Sequence, residues 1–219
     1  MHFEGALFRP PTEADTFLLQ VTRGCSHNRC SFCTMYRDTQ FKMQPFELIE
    51  EDLLEAKQSL GNLKRVFLVN GDAFVLSAPR LARIASTIRE HFPDCRTVSM
   101  YASIRNISSK SDSDLRMLKD LGIDDLYVGV ESGSAEVIEQ ISKGHTIDQA
   151  HEQLRRLDTA GYRWIANLML GIGGRGRGLA NACHTAEFLN QHQPHAIWVG
   201  TLGVFDGGDL HRAAQGGLF

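Results

Sequence analysis

Six short apolar, β-branched runs recur along the chain: Phe17 to Val21, Arg65 to Val69, Thr97 to Tyr101, Asp125 to Val130, Ile165 to Leu170 and Ala196 to Leu202. After each of the first five, apolar residues return at helical spacing, the alternation expected of βαβ units. Phe46, Ile49, Leu53, Leu54 and Lys57 to Leu60 predict an amphipathic helix started by Pro45, with Glu47, Glu50 and Glu51 well placed in its first turns. Ser77 and Pro79 open a helix with Leu81, Ile84, Ala85 and Ile88 inward. Ser111 or Ser113 caps another, built on Leu115, Leu118 and Leu121 and ended by Gly122. A short helix then carries Val137, Ile138 and Ile141. Thr146 to Gln149 reads as a capping box for a helix with Ala150, Leu154 and Leu157 inward, stopped by Gly161. Beyond a glycine and arginine loop from Gly171 to Gly178, Ala182, Ala186 and Leu189 face inward on a last helix. No clear helix follows the sixth run.

Strand followed by helix, repeated in this way, predicts an α/β fold with a parallel sheet and helices outside it, either curved into a partial barrel or open and doubly wound. In both arrangements the active site lies at the carboxyl ends of the strands. The unusual residues fall there: the loop after the first strand, Asn70-Gly71-Asp72, Glu131-Ser132-Gly133-Ser134 and Gly171-Ile172-Gly173-Gly174.

With 219 residues, 42% hydrophobic and 22% charged, the chain reads as a single globular domain over 1–219 and excludes the disordered and fibrous classes. A net charge of -3 gives no general attraction to nucleic acid or to an anionic membrane, and Arg175 and Arg177 are the only local basic hint. No apolar run approaches the roughly 20 residues of a membrane span, and Met1-His2-Phe3-Glu4-Gly5 lacks a secretory pattern, so a cytoplasmic location without a membrane partner is expected. Of five cysteines, Cys95 and Cys183 stand alone and three are crowded. That is not a disulfide framework and suits a reducing compartment.

The crowded three, Cys25, Cys30 and Cys33, form a C-x4-C-x2-C set on the loop leaving the first strand. Three thiolates hold three corners of an iron-sulfur cube and leave one iron open, with no fourth cysteine near in sequence. A zinc site would recruit His27 or a distant Cys95 or Cys183; such sites usually pair two ligand hairpins, whereas one loop carries all three cysteines here. Spacing favours iron and leaves zinc open. The Gly-Lys-Ser/Thr of a phosphate loop and the H-E-x-x-H of zinc proteases are absent. His91, His151, His184, His192 and His195 read as surface residues.

The string from Leu19 to Tyr36 resembles the cluster loop of the radical S-adenosylmethionine (radical SAM) superfamily, which usually has C-x3-C-x2-C with an aromatic before the last cysteine. Phe32 is that aromatic, and the first gap carries one residue more. The string is similar to short members grouped with oxygen-independent coproporphyrinogen oxidase and tRNA methylthiotransferase relatives. The resemblance implies a partial (β/α)6 barrel carrying a 4Fe-4S cluster on Cys25, Cys30 and Cys33. S-adenosylmethionine would bind the open iron and be cleaved reductively to a 5′-deoxyadenosyl radical, which takes hydrogen from an unknown substrate. The electron would come from a donor such as flavodoxin or ferredoxin.

Asn70, Gly71 and Asp72 occupy the place of the stretch that bonds the cofactor's amino group; the alternative is an Asn-Gly turn with a solvated aspartate. Glu131 and Ser132 match the strand end that meets the ribose or carboxylate, unless Ser132 or Ser134 is merely a helix cap. Lys143 of Lys143-Gly144-His145 matches a basic residue reaching that carboxylate, or is a solvated lysine. Gly171 opens the stretch placed beside adenine, or belongs to a plain glycine loop. His27 and Tyr36 flank the cluster, with His27 expected as an exposed loop residue. Two other functions stay open: a non-catalytic metal-binding domain holding zinc or a passive cluster, and an inactive paralogue truncated after the sixth strand, in the stretch from Gly207 to Phe219.

Overall fold

In the computed structural model, which describes residues 1–206 and 208–216, all six apolar runs form strands. Gly207 and the last three residues, part of the stretch on which truncation was read, lie outside the described residues. In chain order the elements begin with β1 (Phe17–Gln20), β2 (Thr22–Arg23), β3 (Lys42–Met43), α1 (Phe46–Leu60), β4 (Arg65–Val69) and α2 (Ala78–His91). They continue through β5 (Thr97–Ala102), α3 (Ile104–Ser108), α4 (Asp112–Asp120), β6 (Ile123–Glu131), α5 (Ala135–Gln140) and α6 (Ile147–Thr159). Last come β7 (Trp164–Leu170), α7 (Gly178–Leu189), β8 (Ala196–Thr201) and α8 (Asp209–Gln215).

The main sheet runs β1-β4-β5-β6-β7-β8, with every neighbouring pair parallel. Because side chains alternate across a strand, the sheet carries two apolar faces. Val66, Leu68, Val98, Met100, Leu126 and Val128 pack outward on Ile49, Leu53, Leu81, Ile84, Leu115 and Leu154 of the helices. Phe67, Val69, Tyr127 and Ile165 form a separate inner cluster with Leu7, Leu18 and Tyr101, in which the Phe67 ring meets Tyr101 and Tyr127 edge-on at 5.5 and 5.9 Å. This is the partial (β/α)6 barrel. Its floor, at the amino ends of the strands, is a charged network: fully buried Glu13 accepts from Arg65, Ser99 and Tyr127. Burial acts against the Glu13 charge, but the Arg65, Thr16 and Tyr127 hydrogen bonds outweigh it and hold its pKa below the ordinary glutamate value.

Helix ends largely follow the sequence signals. Ser111 and Thr146 each complete a capping box, with Asp114 and Gln149, and Gly122 and Gly161 take positive φ just past their helices.

Several expectations are corrected. A helix does follow the sixth strand: α8 returns from β8 to the loop after β1, where Leu210 N–H donates to Ser31 O at 3.3 Å. The short α3 and the antiparallel β2–β3 ribbon carry too few apolar residues to show a period. The buried face of α7 is Thr185, Phe188 and Leu189, while Ala182 and Ala186 are exposed. Leu54 and Leu60 also lie outside, at 48% and 54% exposure. His192 is not a surface residue: it is buried against Phe188, and its Nε2 lies 2.8 Å from His151 Nδ1. No described helix is long and apolar enough to cross a membrane.

Candidate functional site

The loop after β1 is shaped by backbone that few residues tolerate. Gly24 has φ +74, and a Cβ there would meet Thr39 O at 3.0 Å; Asn28 has φ 43 and donates through its side-chain amide to Tyr36 O. Within it Cys33 N–H donates to Cys30 O at 3.1 Å, and Arg37 reaches back to both carbonyls, Nε to Cys33 O at 2.9 Å and NH2 to Cys30 O at 3.2 Å. Cys25, Cys30 and Cys33 are free thiols, each half-buried. Burial first, and the neighbouring Asp72 charge second, push the Cys25 thiol up to about 11. Burial also raises Cys30, against an opposing pull from Lys143. Metal loading therefore displaces protons.

Among the described residues, no three His, Cys, Asp or Glu side chains converge as ligands of a single ion. A cubane takes each thiolate on a separate iron, and three cysteines on one loop are such a donor set. Gly71 gives the second test of fit. A Cβ on it would lie 2.7 Å from Cys25 Cβ and 2.9 Å from Gly24 O, so the bare backbone at the end of β4 is what admits the cysteine loop. The donor set and the cradle both fit a cluster held by three cysteines.

Asn70 and Asp72, flanking that glycine, are not solvated. Asn70 Nδ2 donates to Thr22 O at 3.1 Å, and its Oδ1 accepts from Tyr36 Oη at 3.4 Å. Asp72, 3% exposed, accepts from Ser26 N–H at 3.3 Å, from the Ser26 hydroxyl at 2.8 Å and from Asn106 Nδ2 at 2.8 Å. Burial raises its pKa despite these bonds. Both side chains hold the cysteine loop to the sheet.

At the end of β6, Glu131 takes φ 63 beside a register shift after Gly129. Its carboxylate accepts from Lys143 Nζ at 2.6 Å, and both side chains are largely buried. The expectation of a solvated lysine is thus corrected. Burial opposes the Lys143 charge, and the Glu131 carboxylate outweighs it, raising the lysine pKa. Gly129 makes the room, since a Cβ there would lie 2.7 Å from Lys143 Nζ. The same ammonium sits 5.6 Å from the centre of the Phe32 ring, which packs against the cluster of Val137, Ile138, Ile141 and Ile172. Ser132 accepts from Ser134 N–H at 2.9 Å and donates to Asn181 Oδ1, while Ser134 makes no side-chain cap bond, so neither serine caps the first turn of α5. Gly171, exposed and at φ +84, turns the chain out of β7 towards buried Ile172.

The three cysteines, Gly71, Asp72, Phe32, Glu131 and Lys143 are therefore brought together at one end of the sheet, while Ser132 and Gly171 stand on its β6 and β7 side. Arg105 and Asn106 were missed. They follow the carboxyl end of β5, the one neighbouring strand end at which the sequence shows no glycine or acidic mark. His145 is half-buried with neither ring nitrogen hydrogen-bonded, and burial, with the Lys143 ammonium nearby, lowers its pKa to about 4.

A family model described as the radical SAM superfamily matches residues 19–184. The chain is 26% identical over 174 residues to the heme chaperone HemW of Lactococcus lactis subsp. lactis (strain IL1403), covering 78% of this chain and 45% of that protein. It is 24% identical over 156 residues to HemW of Bacillus subtilis (strain 168), covering 69% and 41%. Both relatives are more than twice the length matched. The fold is similar to that of coproporphyrinogen III oxidase (HemN) from Escherichia coli, with a TM-score of 0.67 at 16% identity over 87% of this chain and 44% of that one.

Proposed function

The chain belongs to the radical SAM superfamily, whose cofactors are a 4Fe-4S cluster and S-adenosylmethionine, and on that premise we propose that it is a radical SAM enzyme core, one domain over 1–219, with Cys25, Cys30 and Cys33 as the cluster ligands. The observation that carries the reading is one loop bearing three free thiols, seated with Cys25 against Gly71 and Ser26 on Asp72, beside the buried Lys143–Glu131 pair. When bound and reduced, the cluster supplies the electron that splits S-adenosylmethionine into methionine and a 5′-deoxyadenosyl radical able to take hydrogen from a substrate.

The protein's part is to bind, orient and exclude. Asp72 and Asn70 fix the loop that carries the three thiols. Lys143, with its charge maintained by Glu131, offers free N–H donors to the cofactor's carboxylate. Glu131 and Ser132 offer oxygens to the ribose, Gly71 lets the ligand's amino end approach bare backbone, Phe32 walls the cluster, and Gly171 leaves a flat edge for adenine. The partners on this reading are an unidentified substrate and an electron donor such as flavodoxin or ferredoxin, in the cytoplasm, with neither membrane nor nucleic acid involved.

Anaerobic reconstitution with iron and sulfide tests this. The expected product is a brown protein with about four irons per chain, the content of one cubane, that releases 5′-deoxyadenosine with dithionite. Cys30→Ala should lose both cluster and cleavage. Stoichiometric zinc without cleavage, or a full cluster that binds no S-adenosylmethionine, would instead mark a non-catalytic metal-binding domain, and a cluster that binds S-adenosylmethionine without cleaving it would mark an inactive paralogue.

A further inference from the structure

The first gap of the cysteine set is one residue longer than the usual pattern, and three of its four residues have their own anchors. Ser26 is tied to Asp72, and Asn28 turns the chain and holds Tyr36 O. His27, between them, reaches across the site. Its Nε2 lies 2.8 Å from Ser142 O and its Nδ1 3.0 Å from Arg105 NH1. A carbonyl can only accept and a guanidinium can only donate, so these partners set the tautomer, with the proton on Nε2.

The turn that His27 grips is an unusual one. Ser142 has φ 53 and Gly144 φ +83, and Lys143 lies between them. Ser142, a non-glycine residue in the left-handed region, keeps that backbone only where its surroundings hold it. A Cβ on Gly144 would lie 2.6 Å from His27 Cε1, so the glycine is what allows the imidazole to lie against the turn. A second tie, Ser31 N–H to Ile141 O at 2.9 Å, joins the same two segments. The helix α3 braces both sides of the gap: Arg105 holds His27, and the next residue, Asn106, holds Asp72.

From this geometry we infer that His27 is a positioning residue, which fixes the Ser142–Gly144 turn to the cluster loop so that Lys143 stays aimed at the carboxylate of the S-adenosylmethionine bound there. The inference rests on the function proposed above. The extra residue of the first gap is then the one that makes this reach possible, and the cluster loop and the lysine arm behave as one rigid unit.

Three variants test it: His27→Ala; His27→Gln, whose amide offers both a donor to Ser142 O and an acceptor to Arg105; and Gly144→Ala, which drives a methyl into the ring. In the metal-free chain, amide hydrogen exchange across residues 142–145 should quicken in His27→Ala and Gly144→Ala and return towards wild type in His27→Gln. After reconstitution, all three should keep wild-type iron content. The dissociation constant for S-adenosylmethionine should rise ten- to a hundredfold in the two alanine variants, about the range found when a residue behind a metal site's ligands is removed, with recovery in His27→Gln. The inference is overturned if His27→Ala exchanges and binds as wild type does, or if its iron content falls together with its affinity, which would make His27 a support of the loop alone. Should wild type itself bind neither iron nor S-adenosylmethionine, the proposed function fails, and the exchange data still decide whether the brace exists.

Discussion

Ser26 donates both its backbone N–H and its hydroxyl to the carboxylate of Asp72, 46 residues away and one position beyond Cys25. The end of β4 therefore grips the cysteine loop directly, and the loop's shape is a tertiary property. Asp72→Ala removes the acceptor of Ser26 and leaves the buried Asn106 amide without one, where a loss of about 1–3 kcal/mol per unsatisfied buried group is usual. A drop of about 3 kcal/mol in the stability of the metal-free protein is expected, read from chemical denaturation, together with less than half the wild-type iron after reconstitution.

Gly71→Ala separates space from charge. The new Cβ would fall 2.7 Å from Cys25 Cβ, and overpacking of this kind costs about 1–3 kcal/mol. Iron uptake should fall with it. Gly133→Ala, whose Cβ would press on His184 O and Phe188 Cβ at 2.6 Å, should lower the melting temperature comparably while leaving iron per folded chain unchanged. Equal iron content in the two variants would remove the cradle role given to Gly71.

For the buried pair, Lys143→Met strands the Glu131 carboxylate, and breaking such a pair typically costs about 3–5 kcal/mol. Adding Glu131→Gln should restore most of that stability and none of the S-adenosylmethionine binding. Calorimetry on the reconstituted single and double variants checks both halves.

Lys110 gives a pH signature unconnected with the cluster. Its ammonium donates to Phe74 O and Asn106 O, and burial lowers its pKa from 10.5 to about 8, against weak support from Asp114 and Asp72. Between those values the unfolded chain binds the proton and the native one does not, so this group adds stability as pH rises from 8 to 10.5, by about 3 kcal/mol. Lys110→Met should abolish that gain, and denaturation midpoints at pH 8 and pH 10 in the two proteins would show it.

The barrel was legible because strands buried on both faces give unbroken apolar runs and helices give a 3.6 period, and five of the helices also carried a cap or stop. What was not legible depended on distance. Nothing local to Ile104–Ser108 shows that Arg105 and Asn106 will meet residues 27 and 72. Ala182 and Ala186 had the right spacing for the inner face of α7, yet Thr185, which meets Gly133, and Phe188, which meets His151 and His192, are the buried ones instead. His192 looked like any polar residue until its partner His151, 41 positions earlier, was brought beside it. The cysteine spacing marked the loop on which the cluster is proposed and left the purpose of the longer gap to the fold.

Arg37 clasps the carbonyls of Cys30 and Cys33 and also holds Asp209 of α8 at 2.7 Å. β1 and β8, the two outer strands of the open sheet, do not pair, and this guanidinium laces the last helix to the cysteine loop across the opening. A protease cutting between β8 and α8 would loosen the grip on two peptide units of the proposed cluster loop at once. The rate of tail cleavage thus becomes an external gauge of whether the metal site is assembled, readable on a gel without any spectroscopic signal from iron.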